Sequence, residues 1–195
     1  MTKDFFVVDF EFTQYTRREG RPRGFFSEII EIGAVKIDGD TNEITGQIQN
    51  FVKPTFYPRQ AQEGMAFSMI TDSDMKTAID FGAMLEKIES LYIPGKTWFV
   101  SWGGADYSVI AEGCERHEVP NPVLHEDFLD LAEAYKLWYG DARTTSLRDA
   151  ADEQQIDIEG LWHTAYSDAV IAGKILLLLM EDGWDPDDNI ESVII

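Results

Sequence analysis

The segment Asp4 to Phe12, DFFVVDFEF, constrains this chain more than any other. Its mixture of carboxylates and large apolar residues reads as a β-strand. Side chains two apart on a strand share a face, so Asp9 and Glu11 point one way while Phe6, Val8, Phe10 and Phe12 point the other. Two carboxylates at the end of an apolar strand repel each other and lose hydration unless a cation sits between them. Hard oxygen donors of this kind suit Mg²⁺ or Mn²⁺. An edge strand whose polar face meets water carries the same pattern, so the pair alone does not decide the matter.

Two further strands come next, Glu28 to Asp38 and Glu43 to Lys53, joined by the turn-rich Gly39-Asp40-Thr41-Asn42. Pro54 and Pro58 bracket a loop. Helical patterns lie near Arg59 to Phe67, at Ser73 to Thr77 and from Phe81 to Tyr92, where Pro94-Gly95 stops the last of them. Thr97 to Ser101 reads as a short buried strand and Asp106 to His117 as an amphipathic helix. A strand near Phe128 to Asp130 leads into a helix from Ala132 to Tyr139, and two more helices cover Leu147 to Gln155 and Ala165 to Met180. Three strands first, then strands alternating with helices, predict an α/β sheet with helices on its faces. In such sheets reactive groups gather near the strand ends.

The 195 residues fit one domain. We expect it over residues 1–180, with an acidic tail over 181–195 whose apolar end packs back on the domain or forms an interface with another protein. No apolar run approaches the roughly 20 residues that cross a bilayer, and the N-terminus lacks the pattern of a signal peptide. The single cysteine, Cys114, excludes an internal disulfide and reads as buried filler. These features predict a cytoplasmic protein without membrane association.

The net charge of −20 argues against a broad grip on phosphates. A site that binds only a short strand end, with bound cations supplying local positive charge, escapes that objection. Four of the eight arginines, Arg17, Arg18, Arg21 and Arg23, fall within seven residues after the first acidic motif. They read either as a solvated basic loop or as a clamp for the phosphates of such an end.

Two other segments carry chemistry. In Ser101-Trp102-Gly103-Gly104-Ala105-Asp106 a buried strand ends in glycines that allow a sharp turn and close approach of a ligand. Asp106 then opens a helix, where an aspartate also serves simply as a favourable N-terminal residue. In His163-Thr164-Ala165-Tyr166-Ser167-Asp168 a histidine stands five residues before an acid at a helix start, placed to take a proton from a reacting water. The other histidines, His117 and His125, read as surface groups.

In order and spacing, Asp9 with Glu11, then Asp106, then His163 with Asp168 resemble the three motifs of the DEDDh exonucleases, the DnaQ-like group that includes RNase T and polymerase proofreading subunits. The resemblance runs over nearly the whole chain and includes Phe51-Val52-Lys53-Pro54, Ile70-Thr71-Asp72 and Thr145-Ser146-Leu147. Asp9-Phe10-Glu11-Phe12-Thr13 and Glu28-Ile29-Ile30-Glu31-Ile32-Gly33 are most similar to the branch of histone-mRNA and RNAi-associated 3′ exonucleases. One departure is that Ile70-Thr71 lacks the family's glycine after threonine, which bears on the shape of the base pocket.

The resemblance implies an RNase H-like mixed sheet, with strands 1–3 antiparallel and later strands parallel, flanked by helices. It implies a 3′→5′ exonuclease that hydrolyses single-stranded RNA or DNA ends to nucleoside 5′-monophosphates with two Mg²⁺ or Mn²⁺ ions. Asp9, Glu11 and Asp168 would bind the first ion, Asp9 would bridge to the second, Asp106 would hold metal-bound waters and His163 would be the general base. Phe12 and Thr13 would meet the terminal sugar. Trp102 and Tyr107 are candidates for stacking on bases, and Phe67, Met69 and Ile70 for the opposite wall, although core packing explains all five equally well and is preferred for Met69 and Ile70. Competing readings are an RNase H-like endonuclease and a non-catalytic binding or accessory module in a polymerase or RNA-processing complex.

Overall fold

Strand β1 (Asp4–Phe12) runs through the middle of a five-stranded sheet. The other strands are β2 (Ile29–Ile37), β3 (Ile44–Phe51), β4 (Thr97–Ser101) and β5 (Phe128–Asp130), in the order β3-β2-β1-β4-β5. β1 to β3 pair antiparallel, whereas β4 runs parallel to β1 and β5 parallel to β4. The edge-strand alternative for Asp9 and Glu11 is therefore excluded: both lie on a central strand. The computed structural model describes residues 2–15, 21–59, 65, 68–157 and 164–189.

A central strand must be apolar on both faces, and β1 is. Phe5 and Val7 pack with Val35, Trp98 and Val100 beneath α5 (Ala165–Glu181), through Ile171, Ile175 and Leu176. Phe6, Val8 and Phe10 pack the opposite way, against α1 (Phe81–Leu91) and α2 (Ala105–Arg116), through Met84, Ile88 and Ile110. Each such side chain contributes about 1.5–3 kcal/mol by leaving water. The layers are completed by α3 (Leu131–Tyr139), α4 (Leu147–Glu153) and a short α6 (Pro186–Asn189). Polar N-caps set four starts: Asp80, Asp130, Ser146 and Thr164 each accept a backbone N–H from the first turn they precede. Trp184 is buried in the α5-side core, so the start of the acidic tail packs on the same body. No described helix is long and apolar enough to cross a membrane.

Several sequence expectations shift. Ser73 to Thr77 forms only one 3₁₀ turn, Asp74–Lys76, because Asp74 turns its carboxylate back onto the Thr71 N–H and hydroxyl. α4 ends at Glu153, and Gln155 turns the chain away with φ +54°. Most of the helix expected at Arg59 to Phe67 lies outside the described residues. His117 is not a plain surface group: its ring stacks on Phe81 at 4.3 Å and meets the Phe56 ring at 5.0 Å. Met69, expected in the core, is 58% exposed. Cys114 is buried, which pushes its thiol up to about 11 and leaves it an inert core side chain.

The tightest glycine contact among the described residues is at Gly33, the β2 partner of Asp9. A Cβ at this position would lie 2.0 Å from the carbonyl carbon of Ala165 and from the amide nitrogen of Tyr166. Only a glycine lets the first turn of α5 rest directly on the sheet here. Gly33→Ala should therefore lift that turn, with at least the overpacking cost of about 1–3 kcal/mol. The expected fall in Tm is roughly 2–12 °C. Calorimetry checks this, and an unchanged Tm would refute the contact.

Candidate active site

β1 and β4 are paired only from Asp4 with Thr97 to Val7 with Val100, so beyond Val7 the two parallel strands part. β4 ends at Ser101, whose hydroxyl donates to the Gly103 carbonyl at 2.7 Å, and Gly103 turns with φ +98°. That turn starts α2 beside the open flank of β1. There Asp106, in the first turn of α2 and 4% exposed, accepts the Phe10 N–H at 2.9 Å. The carboxylate thus replaces the strand partner that β1 has lost.

From the other face, the Gly33 contact brings in α5. Asp168 lies in its first turn, and Asp9, Glu11 and Asp168 each present a carboxylate oxygen within 4.8 Å of the others. Asp9 is half-buried at the centre of the group. Burial chiefly raises its pKa well above the usual carboxylate range, and the charges of Asp106, Asp168, Glu11 and Glu31 push the same way. Asp106 is pushed up to about 7, again mainly by burial, although the N–H groups of Phe10 and of its own backbone oppose the shift. Crowded, desolvated carboxylates of this kind are poised to take a divalent cation.

Two residues absent from the sequence-level site belong to this environment. Glu31, 2% exposed, stands directly across from Glu11 on β2. Burial raises it to about 7, while the Ala165 N–H donates to it and the charges of Glu11 and Asp168 raise it further. Like charges opposed across a strand pair destabilise the fold, so this arrangement carries a cost that packing alone does not explain. A lone acid inside the apolar run IIEIGAV was the available signal. Ser68, also buried, donates its hydroxyl to Glu11 Oε2. Its neighbour Met69 takes φ +56°, the left-handed region that favours glycine.

Of the remaining expected site residues, His163 lies outside the described part of the chain. Phe12 is half-buried against the α1–α2 side of the core. Thr13 is fully buried: its N–H donates to the Glu28 carbonyl at 2.8 Å and its hydroxyl accepts the Glu28 N–H at 2.9 Å. Ile70 is buried with Ile30 and Met65. Trp102 donates Nε1–H to the Thr145 carbonyl at 3.0 Å and packs on Tyr135. Tyr107 stacks on Phe128 at 4.8 Å and meets the exposed His125 ring at 5.4 Å. The structure thus brings the four acids together, while Thr13 and Ile70 turn inward and the two candidate stacking rings are engaged by protein neighbours.

Comparison with known proteins finds relatives of this chain. The family model described as the RNase_T exonuclease matches residues 6–176. The probable 3′-5′ exonuclease KapD of Bacillus subtilis is 30% identical over 181 residues, 93% of this chain and 86% of that protein. The nuclease domain of 3′hExo, a DEDDh family member solved bound to rAMP, superposes with a TM-score of 0.79 at 23% identity, over 93% of this chain and 94% of that one. Pop2p of S. pombe, in a Mg²⁺- and Mn²⁺-bound form, superposes with a TM-score of 0.67 at 18% identity, over 94% and 86% of the two chains.

The raised carboxyls fix the sign of a pH effect. Each stabilises the fold while protonated, fully below its unfolded value of about 4, and that contribution is lost as pH rises through about 7 for Glu31 and Asp106. Metal-free protein should therefore melt at a higher temperature at pH 5.5 than at pH 8. Added Mn²⁺ should raise Tm more at pH 8, where the ligands are ionised. Thermal melts with and without chelator read both effects; a chelated protein more stable at pH 8 would contradict the cluster.

Proposed function

From the premise that this chain belongs to the RNase_T family of 3′→5′ exonucleases, we propose that it removes nucleotides one at a time from the 3′ ends of single-stranded polynucleotides, RNA foremost. The observation that carries this reading is the convergence of Asp9, Glu11 and Asp168 within 4.8 Å, with Asp106 locked beside them by the Phe10 N–H. The rAMP bound to the 3′hExo nuclease domain favours RNA.

The donor set fits hard divalent cations, because it offers only carboxylate oxygens, converging from β1 and α5 with no soft ligand among them. Asp9, Glu11 and Asp168 would hold one Mg²⁺ or Mn²⁺, and Asp9 with Asp106 a second. When bound, such ions neutralise the phosphate oxygens and make the attacking water more acidic. His163 takes the proton that this water gives up as it attacks phosphorus. The bond to the 3′ oxygen of the preceding nucleotide breaks, solvent protonates that oxygen, and a nucleoside 5′-monophosphate leaves. Asp106 gives the site rigidity, since moving it would strip Phe10 of its acceptor. Ser68 orients Glu11 in the same way.

The test is digestion of 3′-labelled single-stranded RNA and DNA with Mg²⁺ or Mn²⁺. Asp9→Asn and His163→Ala should each slow release of 5′-monophosphates by roughly 100-fold or more, chelation should stop it, and circular strands should survive. Wild-type rates in both variants would refute the site, cleavage of circles would indicate an endonuclease, and cation-dependent melting without turnover would indicate a binding module.

A further inference from the structure

A second feature stands at the same end of the sheet and is unused by the chemistry above. Rings from separated parts of the chain form a continuous row: Tyr15 to Phe25 at 5.7 Å, Phe25 to Tyr57 at 5.0 Å, Tyr57 to Phe26 at 5.4 Å, Phe26 to Phe56 at 5.1 Å and Phe56 to His117 at 5.0 Å. Phe26 is buried, but Phe25 and Tyr57 are only half-buried and Phe56 is 43% exposed. The outer members of the row therefore remain partly open to water.

Cations gather on it. The Arg21 guanidinium lies 5.4 Å over Phe25 and that of Arg116 4.9 Å over Phe26. Arg23 and Arg59 stand beside the row in sequence, and neither they nor Arg21 form an ion pair with any described carboxylate. Arg116 has one, with Glu112 at 3.0 Å, between two exposed side chains in water, where such pairs contribute little. In a chain of net charge −20, two guanidinium groups on one aromatic row, with Arg23 and Arg59 close to it in sequence, supply positive charge at this place.

The row is also tied to the site. The buried Glu28 carboxylate accepts the backbone N–H groups of Thr55, Phe56 and Tyr57 at 2.5, 2.8 and 2.6 Å, while the Glu28 backbone clasps Thr13 just beyond β1. Glu28 precedes Glu31 by three residues, so along β2 this clasp begins roughly 10 Å from the carboxylates. That is about three nucleotides at a stacked spacing of 3.4 Å.

We infer that this aromatic and arginine ledge is the track for the substrate strand upstream of the cleaved nucleotide, with Phe56 and Phe25 as stacking surfaces and Arg21 and Arg23 drawing in phosphates. The occupant is the substrate's own single strand, argued from charge complementarity and from continuity with the site; the inference rests on the exonuclease reading. Stacking and phosphate attraction ignore the 2′-OH, so the ledge serves RNA and DNA alike.

The test compares a 12-nucleotide single strand, as RNA and as DNA, with the p-nitrophenyl ester of thymidine 5′-monophosphate, which has no upstream strand. Phe56→Leu, which keeps apolar bulk but loses the aromatic face, should raise KM for both 12-mers about 10-fold and leave turnover of the ester unchanged. Phe56→Tyr should restore the 12-mer KM. In an Asp9→Asn background, Arg21→Ala with Arg23→Ala should weaken 12-mer binding, read by fluorescence anisotropy, and flatten the slope of log Kd against log salt by about 0.7 per lost phosphate contact. Equal losses on ester and 12-mer, or no loss on the 12-mer, would overturn the ledge. A wild-type protein inactive on all three substrates would instead overturn the exonuclease reading, with ledge binding still measurable by anisotropy.

Discussion

Carboxylates crowded where water is scarce are the constraint on which this structure turns. Asp9, Glu11, Glu31, Asp106 and Asp168 come from two strands and two helices and meet at one end of the sheet. Their repulsion and lost hydration oppose folding, and the surrounding structure offsets this with specific contacts: Phe10 N–H on Asp106, Ala165 N–H on Glu31 and the Ser68 hydroxyl on Glu11. Such contacts orient the acids without neutralising them. What remains is a demand for positive charge, which a divalent cation meets.

The same demand explains how a protein of net charge −20 can handle a polyanion. In the proposed reaction the phosphate would face bound cations rather than lysines. Away from that centre the acidic surface is interrupted at the aromatic row, where arginines lie over Phe25 and Phe26. Charge is therefore graded by position, and the overall value says little about any one patch.

Two close approaches give the site its shape. At Gly33 the absence of a side chain lets α5 sit on β2, which carries Asp168 to Asp9. At Gly103 a left-handed turn starts α2 early enough for Asp106 to reach the unpaired flank of β1. Both glycines act through geometry, by permitting backbone paths that any Cβ would block or strain.

Local pattern determined much of this. The alternation in DFFVVDFEF placed Asp9 and Glu11 on one face, apolar periodicity and turn residues located the strands and most helices within a residue or two, and motif order linked Asp106 and Asp168 to the same site. These features were legible because they depend on neighbours within a few positions. Tertiary structure alone decided that β1 is central, that Glu31 stands across from Glu11, that Thr13 turns inward while Met69 turns out, and that His117 joins an aromatic row. The register of β1 on β2 is set across the 16 intervening residues from Thr13 to Glu28, which leave no local trace of the pairing. Burial of a given side chain is likewise a property of what packs over it, and that covering comes from distant parts of the chain.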